Sequence, residues 1–437
     1  MRGRKKVLFV MNTMGRGGAE VALLELMKRF DPATYECFLY VMLGQGELVS
    51  RLPDHVQLLN RRYSSMDVLS SKGKRRLYRH LLGRVLRKGA LFKNFGYCRK
   101  NYRQMKEKGS VRMDKLLWRP IADGTDPIPG EFDLAVAFLE GAATYYVSEK
   151  VKAKAKAAFI HVDYQQAGYS RELDLNDYEA FAKVFCVSDE VRKSFIEVYP
   201  EYAEKTEVFH NLIDRERILA MSEEAICFPK EEMAACPGFS ESLEKAEPLR
   251  LVTLGRLVKQ KAFEVSIEAM RLLRERGVAA KWYVFGEGEE RRFLEKKIEE
   301  LGLSDSFFLP GVVDNPYPYV RKADIYVHCS KFEGRSIAIQ EALLLGRPVV
   351  VSDCPGNREQ VEDGYDGLLI PFTAEAIADA VEELAGNAAL REKLGKNAAE
   401  KSLSEDDSDK LLGLLAAENG GEEYREDDKC DVRTTKI

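Results

Sequence analysis

Two glutamates with seven residues between them, Glu333 and Glu341, anchor the segment S-K-F-E-G-R-S-I-A-I-Q-E-A-L (Ser330–Leu343). Glu333 directly precedes Gly334 at a predicted turn from strand into helix, and Glu341 follows about two turns along that helix. A helix start aims backbone N–H groups at an anion, here those of Gly334, Arg335 and Ser336, and Gly334 leaves room for close approach. Glu333 is then placed to meet sugar hydroxyls, and Glu341 to accept from ribose hydroxyls. Taken alone, the pair reads equally well as a carboxylate favoured by a helix dipole and a solvated helical acid.

Three further clusters change that balance. G-R-L-V-K-Q-K (Gly255–Lys261) closes a strand at Gly255 and sets Arg256 and Lys261 beside the following turn. Two cations there can neutralise a diphosphate as its charge grows on departure. F-G-E-G-E-E-R (Phe285–Arg291) is a glycine turn opening a helix, where Gly286 lets backbone approach a phosphate or base. G-V-V-D-N-P-Y-P-Y (Gly311–Tyr319) is a loop that could wall a base-binding slot. Each is weak by itself. Four such motifs in order, each after a strand, point to one diphosphate-bearing ligand. The sole D-x-D, Asp407-Ser408-Asp409, lies in an acidic run outside any strand and reads as solvated rather than metal-binding.

These residues need a scaffold that brings strand ends together. Lys6–Met11 is a continuous apolar run, as expected of a strand covered on both faces. The glycine loop G-R-G-G-A-E (Gly15–Glu20) and a helical pattern follow it. Further strands are predicted at Glu36–Leu43, Val56–Asn60, Asp133–Phe138, Ala157–Val162 and Val184–Ser188. A second series covers Leu251–Leu254, Trp282–Phe285, Phe307–Leu309, Ile325–His328, Val349–Ser352 and Leu368–Ile370, with helices such as Phe263–Arg276 and Glu289–Leu301 between them. Alternating strands and helices predict two doubly wound parallel sheets, whose ligands bind beyond the carboxyl ends of the strands.

At this point the sequence resembles the large retaining glycosyltransferase family 4, through G-G-A-E (Gly17–Glu20), G-R-L-V-K-Q-K, the E-x7-E pair and S-D-C-P-G-N-R-E-Q-V-E-D-G-Y-D-G-L-L-I (Ser352–Ile370). The F-E-G-R-S-I-A-I-Q-E-A form is similar to members that build cell-surface polysaccharides. The resemblance runs to about residue 400 and implies the GT-B fold, two Rossmann-like domains facing across a cleft. It implies that Arg256 and Lys261 hold the donor diphosphate, Glu341 the ribose and Glu333 the donor sugar, with uridine as the base. Gly17 and Gly18 would approach the donor from across the cleft, and F-I-H-V-D-Y (Phe159–Tyr164) nominates His161 near the sugar. No carboxylate nucleophile is evident, so a front-face route is implied. No cofactor and no metal are expected, because Arg256, Lys261 and helix N-termini replace the cation. Ala262 departs from the family's glycine, which helical dihedrals there would tolerate.

With 437 residues, 45% hydrophobic and 32% charged, the chain suits two soluble α/β domains. The expected division is 1–212 for the acceptor-side domain, 213–247 for a variable hinge, 248–402 for the donor domain and 403–437 for a segment ending in a disordered acidic tail. The net charge of −4 conceals a basic amphipathic insertion, about 61–119, in which leucines recur among lysines and arginines. Its expected partner is an anionic membrane surface, where a lipid-linked acceptor would lie, and not nucleic acid. No run reaches the length of a spanning helix or a signal peptide, and the eight cysteines lack C-x-x-C spacing, so a cytoplasmic location is expected. The reading is a transferase moving a sugar from a nucleotide donor to a glycan or lipid-linked acceptor. A nucleotide-sugar epimerase of the same fold and a non-catalytic sugar-nucleotide-binding subunit stay open as alternatives.

Overall fold

A computed structural model describes residues 3–228, 248–401 and 406–416. Its first sheet contains β1 (Lys5–Met11), β2 (Tyr35–Val41), β3 (Val56–Leu58), β4 (Phe132–Ala137), β5 (Ala153–Ile160), β6 (Lys183–Cys186) and β7 (Thr206–Val208). They lie in the order β3-β2-β1-β4-β5-β6-β7, all parallel. The unbroken apolar run of β1 has its physical reason here. Val7 to Met11 are wholly buried, alternately facing two separate cores, because helices cover both faces of the sheet.

The second sheet contains β8 (Leu249–Leu254), β9 (Ala280–Phe285), β10 (Phe307–Gly311), β11 (Ile325–His328), β12 (Val349–Ser352) and β13 (Gly367–Ile370). Its order is β10-β9-β8-β11-β12-β13, again parallel. Each sheet reverses its winding once, between β1 and β4 and between β8 and β11. Loops leaving a reversal point diverge and open a crevice at the strands' carboxyl ends. Those two crevices face each other.

Between β3 and β4 the basic stretch folds into four helices, α2 (Ser71–Leu86), α3 (Ala90–Lys93), α4 (Phe95–Glu107) and α5 (Met113–Asp123), counted after α1 (Gly18–Met27). Helix α5 is fastened to the first domain by Arg119, only 3% exposed, whose guanidinium pairs with Asp177 and Glu149 and donates to the Asp174 carbonyl. The fully buried Asp174 carboxylate accepts from the hydroxyls of Tyr145, Tyr164 and Tyr199 at 2.7, 2.5 and 2.8 Å.

Three expectations need correction. The helix after the E-x7-E turn starts at Ile337 and ends at Leu344, so Gly334, Arg335 and Ser336 precede it and Glu341 lies about one turn in. Ala262 does not have helical dihedrals; at φ 44° and ψ 49° it is left-handed, a conformation that suits glycine. Asp407 and Ser408 are buried rather than solvated. They begin a helix, Ser408–Ala416, that returns to the first domain, where Leu411 and Leu415 enter its core and Asp407 pairs with His210 at 3.2 Å. The acidic stretch from about residue 418 and most of the hinge, 229–247, lie outside the described residues.

Candidate active site

The crevice of the second sheet holds a compact charged cluster. Lys261, from the turn after β8, places its ammonium 2.5 Å from Glu333 Oε1, from the loop after β11. The same oxygen accepts from Ser330 Oγ at 2.7 Å and lies 3.3 Å from His328 Nε2. His328 Nδ1 in turn meets the Tyr326 hydroxyl at 3.2 Å. Burial opposes the charge on Glu333, but Lys261 and His328 outweigh it and hold this carboxyl well below the usual range. Gln260 Nε2 donates to the Phe332 carbonyl at 2.8 Å, clipping the two loops together. The cluster is therefore a fixed, ionised carboxylate with a cation beside it.

Glu341 has the opposite character. It is 8% exposed, accepts from the Tyr317 hydroxyl at 2.9 Å, and burial lifts its pKa to about 7 against the pull of Tyr317 and Arg217. Arg217, on the helix Arg215–Ser222, bonds Glu25 of α1 at 3.0 Å.

Across the cleft, α1 starts at Gly18 with Gly17 as its N-cap, and no side chain caps it. The Ile337–Leu344 helix likewise lacks a side-chain cap. A Cβ on Gly18 would lie 3.8 Å from Ile337 Cδ1, so the two uncapped starts face each other. Both direct free amides and positive dipole ends at the gap. Arg256 is exposed at its edge and makes no ion pair among the described residues, while its charge acts on Glu20, which burial lifts to about 7. Amides from two helices with Arg256 and Lys261 nearby can hold a diphosphate.

The domains touch beside this cluster. A Cβ on Gly334 would fall 2.2 Å from the His161 carbonyl oxygen, so only glycine allows this approach. His161 packs on Phe138, its rings 4.9 Å apart, and leaves Nε2 buried without a partner. Burial lowers its pKa to about 4, so the imidazole is neutral near pH 7. Arg16 on the glycine loop reaches Asp314 at 2.7 Å and the Val313 carbonyl at 3.3 Å, closing that loop onto the second domain.

Most of the residues singled out by sequence thus converge. Gly286 differs in purpose, for a Cβ there would meet the Gly255 carbonyl at 1.9 Å; its close approach is to a neighbouring loop. The Arg335 side chain feels Glu359, Asp407 and Asp189, away from the Lys261–Glu333 pair. His328, Ser330, Tyr326 and Tyr317 were missed. For Tyr326 and His328 a signal existed, since residues two apart on a strand share a face and His328 sits at its carboxyl end.

The sequence profile described as "Glycosyl transferases group 1" matches residues 239–401. The whole fold resembles the crystal structure of Anabaena Alr3699/HepE in complex with UDP, with a TM-score of 0.62 at 16% identity over 95% of this chain and 99% of that one. The second domain carries the match to the group 1 glycosyl transferases, and the two-domain fold is GT-B. The chain is 34% identical over 149 residues to the alpha-D-kanosaminyltransferase of Streptomyces kanamyceticus, covering 33% of this chain and 39% of that protein. It is 28% identical over 161 residues to the poly(ribitol-phosphate) alpha-N-acetylglucosaminyltransferase of Staphylococcus aureus (strain COL), covering 36% and 33%. The matches thus span about a third of those relatives' lengths. Among the described residues no helix is long and apolar enough to cross a membrane, and no group of His, Cys, Asp or Glu could hold a metal ion.

Proposed function

We propose that the chain transfers a sugar from a uridine-diphosphate donor to a glycan or lipid-linked acceptor, with retention of configuration and without a metal. The observation that carries this reading is the cleft between two uncapped helix starts, flanked by Arg256 and Lys261 and backed by the Lys261–Glu333–His328 cluster. In this reading the diphosphate lies between the helix starts. Arg256 and Lys261 take up its growing charge, Glu341 accepts from the ribose, and Glu333 from the sugar hydroxyls. Glu333 is already committed to Lys261, Ser330 and His328, which suits a positioning acceptor better than an attacking nucleophile. A front-face route fits that arrangement. The bond from the anomeric carbon to phosphate oxygen breaks, the acceptor oxygen bonds on the same face, and its proton passes to the departing phosphate. Neutral His161, whose other ring nitrogen donates to the Phe138 backbone, would accept a hydrogen bond from a sugar hydroxyl at the unpartnered Nε2.

Acceptors that are lipid-linked would bring the enzyme to a membrane, and the basic segment 61–119 is the part of the chain that would face it. The relative named for poly(ribitol-phosphate) and the UDP-bound likeness support a cell-surface polymer and a uridine donor respectively.

A thermal-shift screen with UDP, GDP, ADP and CMP, with and without EDTA, tests the donor site on wild type and Glu341→Ala. UDP at 100 times its dissociation constant should stabilise the wild type by about 2.7 kcal/mol, with EDTA present, and the variant should lose that gain. A shift only with divalent metal, or one unchanged in the variant, would sink the reading.

A further inference from the structure

Helix α2 carries apolar side chains on two adjacent stripes, and the fold uses one of them. Leu77, Leu81 and Val85 turn onto the core of the first domain. One position further on, Tyr78, Leu82 and Leu86 repeat at the same four-residue spacing, which aligns them along the helix. They are 70%, 55% and 53% exposed. Past the turn at Gly89, Phe92 and Phe95 are 83% and 63% exposed. Isolated surface leucines are ordinary, but five large apolar side chains uncovered within residues 78–95 form a surface that asks for a partner.

Charge decides which partner. Residues 71–108 hold fourteen lysines and arginines against one acid, Glu107. Among the described residues only Arg87 and Lys88 of that set form ion pairs, both with Asp126. A second copy of this chain would oppose the patch with its own charge. Nucleic acid would satisfy the cations and leave Leu82, Leu86 and Phe92 in water. An anionic bilayer takes both, headgroup phosphates meeting the cations and the acyl boundary receiving the apolar side chains.

We propose that Tyr78, Leu82, Leu86, Phe92 and Phe95 insert into an anionic lipid surface, with the lysines and arginines of residues 71–108 seated on its headgroups. This rests on the membrane-side acceptor given above and adds the side chains that make the contact. Flotation of the full chain with phosphatidylcholine vesicles, and with vesicles also containing phosphatidylserine, tests it. The wild type should float with the anionic vesicles only, less so at high salt. Leu82→Ser with Phe92→Ser, and separately Arg75→Gln with Arg79→Gln, should each weaken binding by about tenfold or more. All four positions lie on the surface or its rim, and the UDP-induced thermal shift, which both double variants should keep, reports that they remain folded. No flotation of the wild type overturns the proposal. So does undiminished flotation of the serine variant, since adhesion by charge alone predicts it. Retention on duplex DNA without flotation would assign the face to nucleic acid instead. Flotation without a UDP shift in the wild type would leave the docking face standing and remove the donor reading.

Discussion

Glu333 and Glu341 differ in character as well as in place, one in the loop before the helix and the other about one turn into it. Lys261 keeps Glu333 ionised across the whole working range of pH, whereas burial brings Glu341 to about 7. A folded pKa above the unfolded value near 4.5 contributes stability that is complete below about pH 4.5 and lost as pH rises through 7. Glu341→Gln should therefore flatten the fall in melting temperature between pH 5 and 8, leaving the variant at least as stable as wild type at pH 8 while UDP no longer stabilises it. A variant whose melting profile still falls with pH as the wild type's does would show that another group titrates. Ala262 is a residue whose identity and conformation disagree. Left-handed geometry costs an alanine about 1–2 kcal/mol that glycine avoids. Nothing in residue type alone reveals this, because φ at a turn is set by the loop closing around it, here the one that carries Lys261 to Glu333.

At the scale of elements, the strands were legible because a sheet buried on both faces demands continuous apolar runs, as in Val349–Ser352 and Ile325–His328. Strand order was less so. Lys261 and His328 are 67 residues apart and meet only because β8 lies beside β11, a pairing that no local pattern encodes. The basic insertion was legible as amphipathic, yet its division into an inward and an outward stripe depends on what it packs against. Its anchorage can be tested directly. Arg119→Met leaves Asp177 buried without its cation, and the loss of stability should be about 3–5 kcal/mol. Chemical denaturation would show this as a lower midpoint for the first domain, and an unchanged midpoint would mean the ion pair is dispensable. UDP binding, which the proposed reading assigns chiefly to the second domain, should persist while the folded state does.

For the whole molecule, function in the proposed reading depends on two crevices meeting, and at Gly334 the second domain comes close to the His161 backbone of the first. An added methyl group would strike the His161 carbonyl, so Gly334→Ala should hold the domains apart. Small-angle scattering would register a larger radius of gyration. Transfer should fall by about a hundredfold, as a displacement of an ångström can cause, while UDP still stabilises the protein. Equal scattering profiles for variant and wild type would show that the cleft accommodates the methyl group by local adjustment.

The helix Ser408–Ala416 has a consequence for how such a molecule is made. Leu411 and Leu415 belong to a core whose other members precede residue 213, apart from Ile337 at the domain contact. Two hundred residues separate Val208, at the end of β7, from Ser408. At about 5–20 residues per second, a ribosome needs roughly 10–40 s to cover them. Through that interval the half born first lacks part of its own interior, with an apolar gap beside β4 and β5, and the half born second supplies the plug only after its own sheet is complete. The order of synthesis is therefore the reverse of the order of completion.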